Sequence, residues 1–86
     1  MIYRIEFLPS AEQELAALDR PVRERVSRQI ASLATNPRPA GIKMLKGRKG
    51  FLRLRVGDYR VIYQVEDDRL VVLAVKIGHR RDVYDR

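Results

Sequence analysis

The amino-acid sequence predicts a single α+β domain over residues 1–86, built as a strand, two helices and an antiparallel three-strand meander. Three observations predict this fold class. Apolar and charged residues alternate near the N-terminus, apolar residues recur at helical spacing up to residue 33, and strand-like apolar runs return after residue 50. Such a chain packs its helices on one face of a small twisted sheet, so we expect the functional site on the other, open face.

The first half of the chain predicts one strand and two helices. Residues 3–7 alternate apolar and charged side chains, which is typical of a strand with one buried face. Ser10 and Gln13 have the spacing of a capping box, which predicts the start of a short helix. Residues 19–21, Asp-Arg-Pro, predict the cap and first turn of a second helix, and the two prolines within residues 36–39 end it.

The second half predicts the meander. The Gly- and Lys-rich stretch after the second helix predicts a loop with a short extended piece around residues 42–45. Residues 51–56 alternate again, Gly57-Asp58 predicts a two-residue hairpin turn, and residues 59–65 form the return strand. Residues 70–77 are apolar apart from Lys76, which predicts a central strand covered on both faces.

The composition excludes several kinds of chemistry. The chain has no cysteine, which excludes disulfides, thiolate metal ligands and cysteine nucleophiles. Its longest apolar run, residues 70–75, is far shorter than the ~20 residues of a membrane span. The N-terminus lacks the basic and then apolar pattern of a signal peptide. We therefore expect a cytoplasmic protein with no membrane partner.

Positive charge is concentrated in one short segment. The net charge is +7, and residues 43–60 contain seven basic residues against one acidic residue, so they account for six of those charges. A surface this basic attracts polyanions at long range. The ordinary alternative for such a cluster is a solvated basic face.

The predicted hairpin argues against that alternative. A two-residue turn at Gly57-Asp58 places Arg55 directly opposite Arg60. Like charges at such positions destabilise a sheet by up to ~1 kcal/mol, so a purely structural role does not explain them. Arg53 lies on the same face two residues earlier. Three converging guanidinium groups are typical of a phosphate-binding site, because each offers a rigid fork of donors.

Three motifs in this order give the chain a family resemblance. They are Leu45-Lys46-Gly47, the strand Gly57-Asp58-Tyr59-Arg60-Val61-Ile62-Tyr63, and the ending Gly78-His79-Arg80-Arg81-Asp82-Val83-Tyr84. Each motif is weak alone, but together and at this length they are specific. The whole chain resembles the RelE/ParE superfamily of type II toxin–antitoxin toxins, and within it the RelE-like ribonucleases.

This resemblance implies a toxin that inhibits translation by cleaving messenger RNA in the ribosomal A site. The RNA's own 2′-hydroxyl attacks the adjacent phosphate, and no metal or other cofactor is used. By position, the resemblance implies catalytic roles for Arg60, Arg80 and Tyr84, while Arg53 and Arg55 stand where prototypes have lysines. It also implies a cognate, RelB-like antitoxin. The basic face suits an acidic, partly disordered peptide that folds on binding.

The identity of the general base is left open. Arginine keeps its charge at any working pH, so Arg53 and Arg55 cannot accept a proton and are expected to bind phosphates. His79 is the only imidazole in the chain and a catalytic candidate, although a lone histidine more often fills a structural position. Further candidates for binding RNA or phosphate are Lys43, Lys46, Lys49 and Arg81.

Two other functions fit part of the same pattern. A ParE-like toxin would poison DNA gyrase by binding it, without catalysis. Such relatives generally lack the full set of Arg60, Arg80 and Tyr84, which is present here. A non-catalytic module that binds RNA or DNA would need only the basic segment and not the tyrosine.

Overall fold

The computed structural model describes residues 2–45, 47 and 49–81, which form two helices and one five-stranded sheet. The elements are β1 (Arg4–Phe7), α1 (Pro9–Ala16), α2 (Arg20–Ser32), β2 (Lys43–Met44), β3 (Phe51–Val56), β4 (Tyr59–Glu66) and β5 (Val71–His79). The strand order is β1-β5-β4-β3-β2. Strand β1 runs parallel to β5, and the other neighbours are antiparallel. The predicted α+β architecture is confirmed.

The β3–β4 hairpin has the predicted two-residue turn. Its register pairs Val56 with Tyr59 and Arg55 with Arg60. The turn needs Gly57, because the φ angle there is 59°, in the left-handed region that side chains disfavour.

Both helices cover one face of the sheet. The predicted apolar stripe of α2 is buried, with Val26, Ile30 and, just beyond the helix, Leu33 at most 2% exposed. These side chains form one core with inward residues of the strands, among them Val61 and Tyr63. Neither helix among the described residues has the length and apolarity that a membrane crossing requires.

The sequence predicted the start of α2 correctly and the start of α1 incorrectly. Asp19 is the N-cap of α2, as predicted, and Pro21 lies in its first turn. The capping box at Ser10 is wrong, because Leu8 is the N-cap and α1 already begins at Pro9. Proline has the φ angle of a helix and lacks the N–H group that would go unpaired at this position, so it starts the helix without a side-chain cap. Ser10 therefore lies inside the first turn.

Strand β5 corrects two expectations. It continues past Ile77 to His79, so the strand includes Gly78 and His79, which the sequence assigned to the polar tail. Its neighbours are β1 and β4, but only one face is fully covered. Ala74 is buried against the helices, whereas Leu73 and Val75 are half-buried. A bulge at Val75 shifts the register, so that Ala74 and Ile77, three residues apart, belong to the same core.

The edge of β5 beyond β1 is covered by a side chain of α1. Leu8 N–H donates to the carbonyl of Ala74 at 3.0 Å, which ends the pairing with β1. Beyond that point the Glu14 carboxylate binds the edge of β5 in place of a neighbouring strand. Its Oε1 accepts the backbone N–H of Ile77 at 2.9 Å, and its Oε2 accepts Lys76 Nζ at 2.9 Å. Glu14 thus fixes the part of β5 that leads to His79 and Arg80.

Two contacts fasten the segment after α2 to the sheet. Arg38 donates to both oxygens of Asp67, at 3.1 and 2.8 Å, and Tyr3 Oη donates to Asp67 at 2.7 Å. The hydrogen bonds from Arg38 and then from Tyr3 lower the pKa of Asp67 to about 2. The buried Tyr63 donates to the Pro37 carbonyl at 2.8 Å. We call the first set of contacts the Asp67 clasp.

Candidate functional site

Four cations lie on the open face, near the β2 edge of the sheet. Lys43 of β2 pairs with Arg53 of β3, and Arg55 of β3 pairs with Arg60 of β4. Directly paired residues project from the same face, so both pairs place like charges side by side. Each such pair costs some tenths of a kcal/mol up to ~1 kcal/mol. The predicted convergence of Arg53, Arg55 and Arg60 is present.

The electrostatics of Arg53 show how close these groups are. Burial lowers the pKa of Arg53 first, and the positive charges of Arg60 and Arg55 lower it further. Arg53 and Arg60 are both half-buried, whereas Arg55 is exposed. The site is therefore a crowded positive patch that gains from an anion, because a phosphate would relieve the mutual repulsion.

A small apolar cluster lies beside this patch. Leu45 and Ile62 are 6% and 4% exposed, and the half-buried Phe51 packs against them. Ile62 pairs directly with Arg53. Apolar surroundings exclude water and strengthen the interaction of a cation with a bound anion. The alternation of residues 51–55 could have predicted this cluster, since Phe51 shares a face with Arg53 and Arg55.

Arg80 reaches the same end of the sheet from β5. Its N–H donates to the Asp58 carbonyl at 2.8 Å, just past the strand. Arg80 Nε lies 3.9 Å from the Asp58 carboxylate, and the side chain is 53% exposed. Gly78, two residues earlier, pairs with Arg60, so strand alternation places Arg80 on the side of Arg60. The long contact with Asp58 is exposed and weak.

His79 lies on the other side of the sheet. It pairs with Tyr59, and the two rings meet edge to face with centroids 5.3 Å apart. Tyr59 packs against the core beneath the helices. His79 Nδ1 accepts the N–H of Arg81 at 3.2 Å, so the neutral ring has its proton on Nε2. The structure does not bring His79 together with the arginines.

The remaining candidates are more scattered. Lys49 is exposed in the turn before β3, and Arg81 is exposed after β5. Tyr84 and Lys46 lie outside the described residues. Within residues 2–45, 47 and 49–81, no three His, Asp or Glu side chains are grouped so that they could hold a metal ion.

One arginine near the site was not predicted. Arg25 of α2 extends to the hairpin turn, where its Nη2 lies 2.6 Å from the position that a Cβ on Gly57 would occupy. Arg55 Nε of β3 also reaches this turn and donates to the Gly57 carbonyl at 3.2 Å. Helical periodicity shows only that Arg25 avoids the core, and it does not show that the side chain reaches a turn 32 positions later in the sequence.

Comparison with known proteins identifies the family. A family model described as "ParE toxin of type II toxin-antitoxin system, parDE" matches residues 5–84. The chain belongs to the RelE/ParE superfamily of type II toxins. The family match confirms the resemblance that the three sequence motifs indicated. The mRNA interferase toxin RelE of Escherichia coli (strain K12) is similar to this RelE/ParE toxin, with 32% identity over 93% of this chain and 85% of the relative.

Solved structures of RelE proteins resemble this RelE/ParE toxin over nearly its whole length. A chain of the intact E. coli RelBE toxin–antitoxin complex matches with a TM-score of 0.80 and 28% identity, covering 90% of this chain and 95% of that one. A chain of the RelBE2 toxin–antitoxin complex of Mycobacterium tuberculosis matches with a TM-score of 0.81 and 26% identity, covering 95% of each.

Proposed function

We propose that this toxin is a metal-independent endoribonuclease that cleaves messenger RNA in the ribosomal A site. The observation that supports the proposal most is the crowding of Arg53, Arg55 and Arg60 on one open face, an arrangement of guanidinium groups that suits a phosphate ligand. The similarity to a relative named mRNA interferase supports the same activity.

The arrangement suits cleavage by the RNA's own 2′-hydroxyl. The hydroxyl oxygen bonds to the adjacent phosphorus, the bond to the 5′-oxygen breaks, and a cyclic phosphate and a 5′-hydroxyl result. Negative charge grows on the phosphate oxygens during this step, and fixed cations stabilise it best where water is excluded. Arg60 and Arg80 are the proposed clamp on the reacting phosphate, while Arg53 and Arg55 hold neighbouring phosphates. Tyr84 is proposed to stack on a nucleotide.

Proton transfer has a smaller part in this mechanism. Arginines cannot accept the proton of the 2′-hydroxyl, and His79 faces Tyr59 on the helix side of the sheet. The proposal therefore gives His79 a positioning role, in which it orders the segment between Arg80 and the tail through its contact with Arg81 N–H. Water accepts the proton of the 2′-hydroxyl and supplies a proton to the departing 5′-oxygen, and most of the rate comes from positioning and charge.

The proposed partners are the ribosome, its messenger RNA and a cognate antitoxin. Lys43, Lys46, Lys49 and Arg81 are proposed to contact RNA phosphates around the site. The similar RelBE complexes support the antitoxin proposal. An acidic peptide that folds onto the open face would neutralise the same arginines and so block RNA.

The test is cleavage of a defined messenger on purified ribosomes, mapped by primer extension. We expect Arg60→Ala to lower kcat by at least about 100-fold, as loss of a charge-stabilising group usually does, while the circular dichroism spectrum stays that of the folded wild type. The matched control is Arg20→Ala, because Arg20 is exposed on α2 and forms its ion pair with Glu24 of the same helix. It should cut like the wild type.

Other outcomes would redirect the assignment. Undiminished cutting by Arg60→Ala, with the fold intact, would end the proposed mechanism. A wild-type protein that leaves messenger uncut but blocks supercoiling by DNA gyrase would instead act by binding that enzyme. A protein that does neither but still binds nucleic acid would be a non-catalytic module.

A further inference from the structure

A cleft of about 420 Å³ lies at the β2–β3 edge of the sheet, between that edge and the end of α2. Its lining residues are Gln29, Ser32, Lys43, Arg53 and Arg55, together with the segment 39–42 and Leu54. Pockets that bind small molecules commonly start at about 300 Å³, so the space is enough for one nucleotide base with part of its sugar.

The cleft exists because β2 is short. Strand β2 pairs with only Leu52 and Arg53, so the edge of β3 from Leu54 onwards has no neighbouring strand among the described residues. The chain reaches β2 through a tight bend at Gly41, whose φ angle of 86° is one that glycine adopts readily. Residues 39–42, around this bend, form part of the cleft lining.

The two walls of the cleft differ in chemistry. The sheet wall has the cations Lys43, Arg53 and Arg55, and none of the described residues that line the cleft is acidic. The α2 wall has the neutral polar side chains of Gln29 and Ser32. Ser32 Oγ donates its hydrogen to the Gln29 carbonyl at 2.6 Å, so towards the cleft its oxygen can only accept. The Gln29 amide can both donate and accept.

These walls match the two parts of a nucleotide. Guanidinium and ammonium groups bind phosphates without regard to sequence, whereas amide and hydroxyl groups distinguish the hydrogen-bonding edges of bases. Bases of single-stranded RNA are read in this way when they are unstacked and turned out. A protein segment would find few apolar contacts here, since among the described lining residues the larger apolar ones are Ile42, Leu54 and Pro39, with Ala40 beside them.

The cleft adjoins the proposed catalytic patch. Arg53 and Arg55 line the cleft, and both raise the positive potential around Arg60 on the open face. An RNA strand whose scissile phosphate lies at Arg60 can therefore place its next nucleotide in the cleft, around the β2–β3 edge of the sheet. Resting on the ribonuclease function proposed above, we propose that this cleft holds the base of a nucleotide adjoining the scissile phosphate, and that Gln29 reads its edge.

The test uses binding, which does not depend on cleavage. Four hexanucleotides that differ at one base, 2′-O-methylated throughout so that they cannot be cut, are titrated by fluorescence anisotropy. We expect wild-type Kd values to spread by about tenfold across the four bases, the size of one good amide–base pair. In Gln29→Ala the spread should fall below about twofold, with the average affinity little changed.

Two further variants separate the walls of the cleft. Gln13→Ala, at an exposed position on α1 outside the lining, should keep the wild-type spread. Arg53→Ala should weaken binding of all four oligonucleotides about equally and make the affinity less dependent on salt, because it removes a phosphate contact. In NMR spectra of the wild type, the side-chain amide signals of Gln29 should shift on adding the preferred oligonucleotide.

The proposal is overturned if Gln29→Ala keeps the full spread, if the wild type shows no spread, or if the Gln29 amide signals stay unmoved. It is also overturned if Gln29→Ala weakens binding of the antitoxin and leaves RNA binding unchanged, since the cleft would then hold a protein segment. These results are independent of the ribonuclease test, because Arg60→Ala can abolish cutting whether or not Gln29 reads a base.

Discussion

Neutralising Arg55 and Arg60 singly and together measures how strongly the two guanidinium groups repel each other. The residues pair directly across β3 and β4, where opposite Cβ atoms are ~5 Å apart. Two unit charges at ~5 Å repel by ~0.8 kcal/mol in water and by ~3 kcal/mol at the effective dielectric constant of a protein surface. Long side chains can spread apart, so we take about 1 kcal/mol for this pair.

The measurement is a double-mutant cycle of Arg55→Gln and Arg60→Gln by urea unfolding. Each single variant removes the whole repulsion together with its own contacts, such as the hydrogen bond from Arg55 to Gly57. The double variant removes the repulsion only once. We therefore expect it to be less stable than the two single effects predict, by about 1 kcal/mol at low salt, because the cycle cancels all contacts other than the pair term.

Salt and a distant arginine provide the controls. At ~1 M salt the screening length falls to ~3 Å, so most of the coupling should disappear. A cycle of Arg55→Gln with Arg4→Gln should show no coupling, because β1 lies at the opposite edge of the sheet from the β3–β2 side. A coupling near zero at low salt, or one that salt does not change, would refute the crowded patch on which the proposed active site depends.

Two further predictions concern contacts outside the patch. The hydrogen bonds from Arg38 and Tyr3 hold the pKa of Asp67 at about 2, so the clasp should stabilise the fold above pH ~4 and lose this effect as pH falls towards 2. The difference in Tm between wild type and Asp67→Asn should shrink over that range, and a constant difference would contradict the clasp. Glu14→Ala should cost about 1–2 kcal/mol and speed hydrogen exchange at Ile77 N–H, whereas Glu14→Gln, which keeps an acceptor, should cost less. An exchange rate at Ile77 N–H in Glu14→Ala equal to that of the wild type would show that the carboxylate does not hold this amide.

The hairpin and its arginines could be predicted from sequence because the controlling interactions are local. Gly57 needs a left-handed φ angle, a two-residue turn then fixes the register, and the register alone places Arg55 opposite Arg60. The stripe of α2 was predictable for the same reason, since helical spacing determines which side chains share a face.

The errors and omissions have physical causes that involve distant parts of the chain. The face of His79 depends on how far β5 continues and on the bulge at Val75, and one residue of shift reverses a side chain. The edge contact of Glu14 and the position of Arg25 at the hairpin each join residues far apart in sequence. The cleft beside Gln29 depends on where β2 stops, which no periodic pattern indicates.

The parallel pairing of β1 with β5 determines when the molecule can fold. Strand β1 pairs with residues 71–74 of β5, and the Glu14 carboxylate of α1 accepts the backbone N–H of Ile77. During synthesis the first strand and both helices therefore lack a completed core until β5 has been made. Pairing over such long sequence separations is slow, because loop-closure entropy must be overcome before contacts form. A chain that stops before Val71 should remain unstructured, so a truncated toxin of this kind would also be harmless.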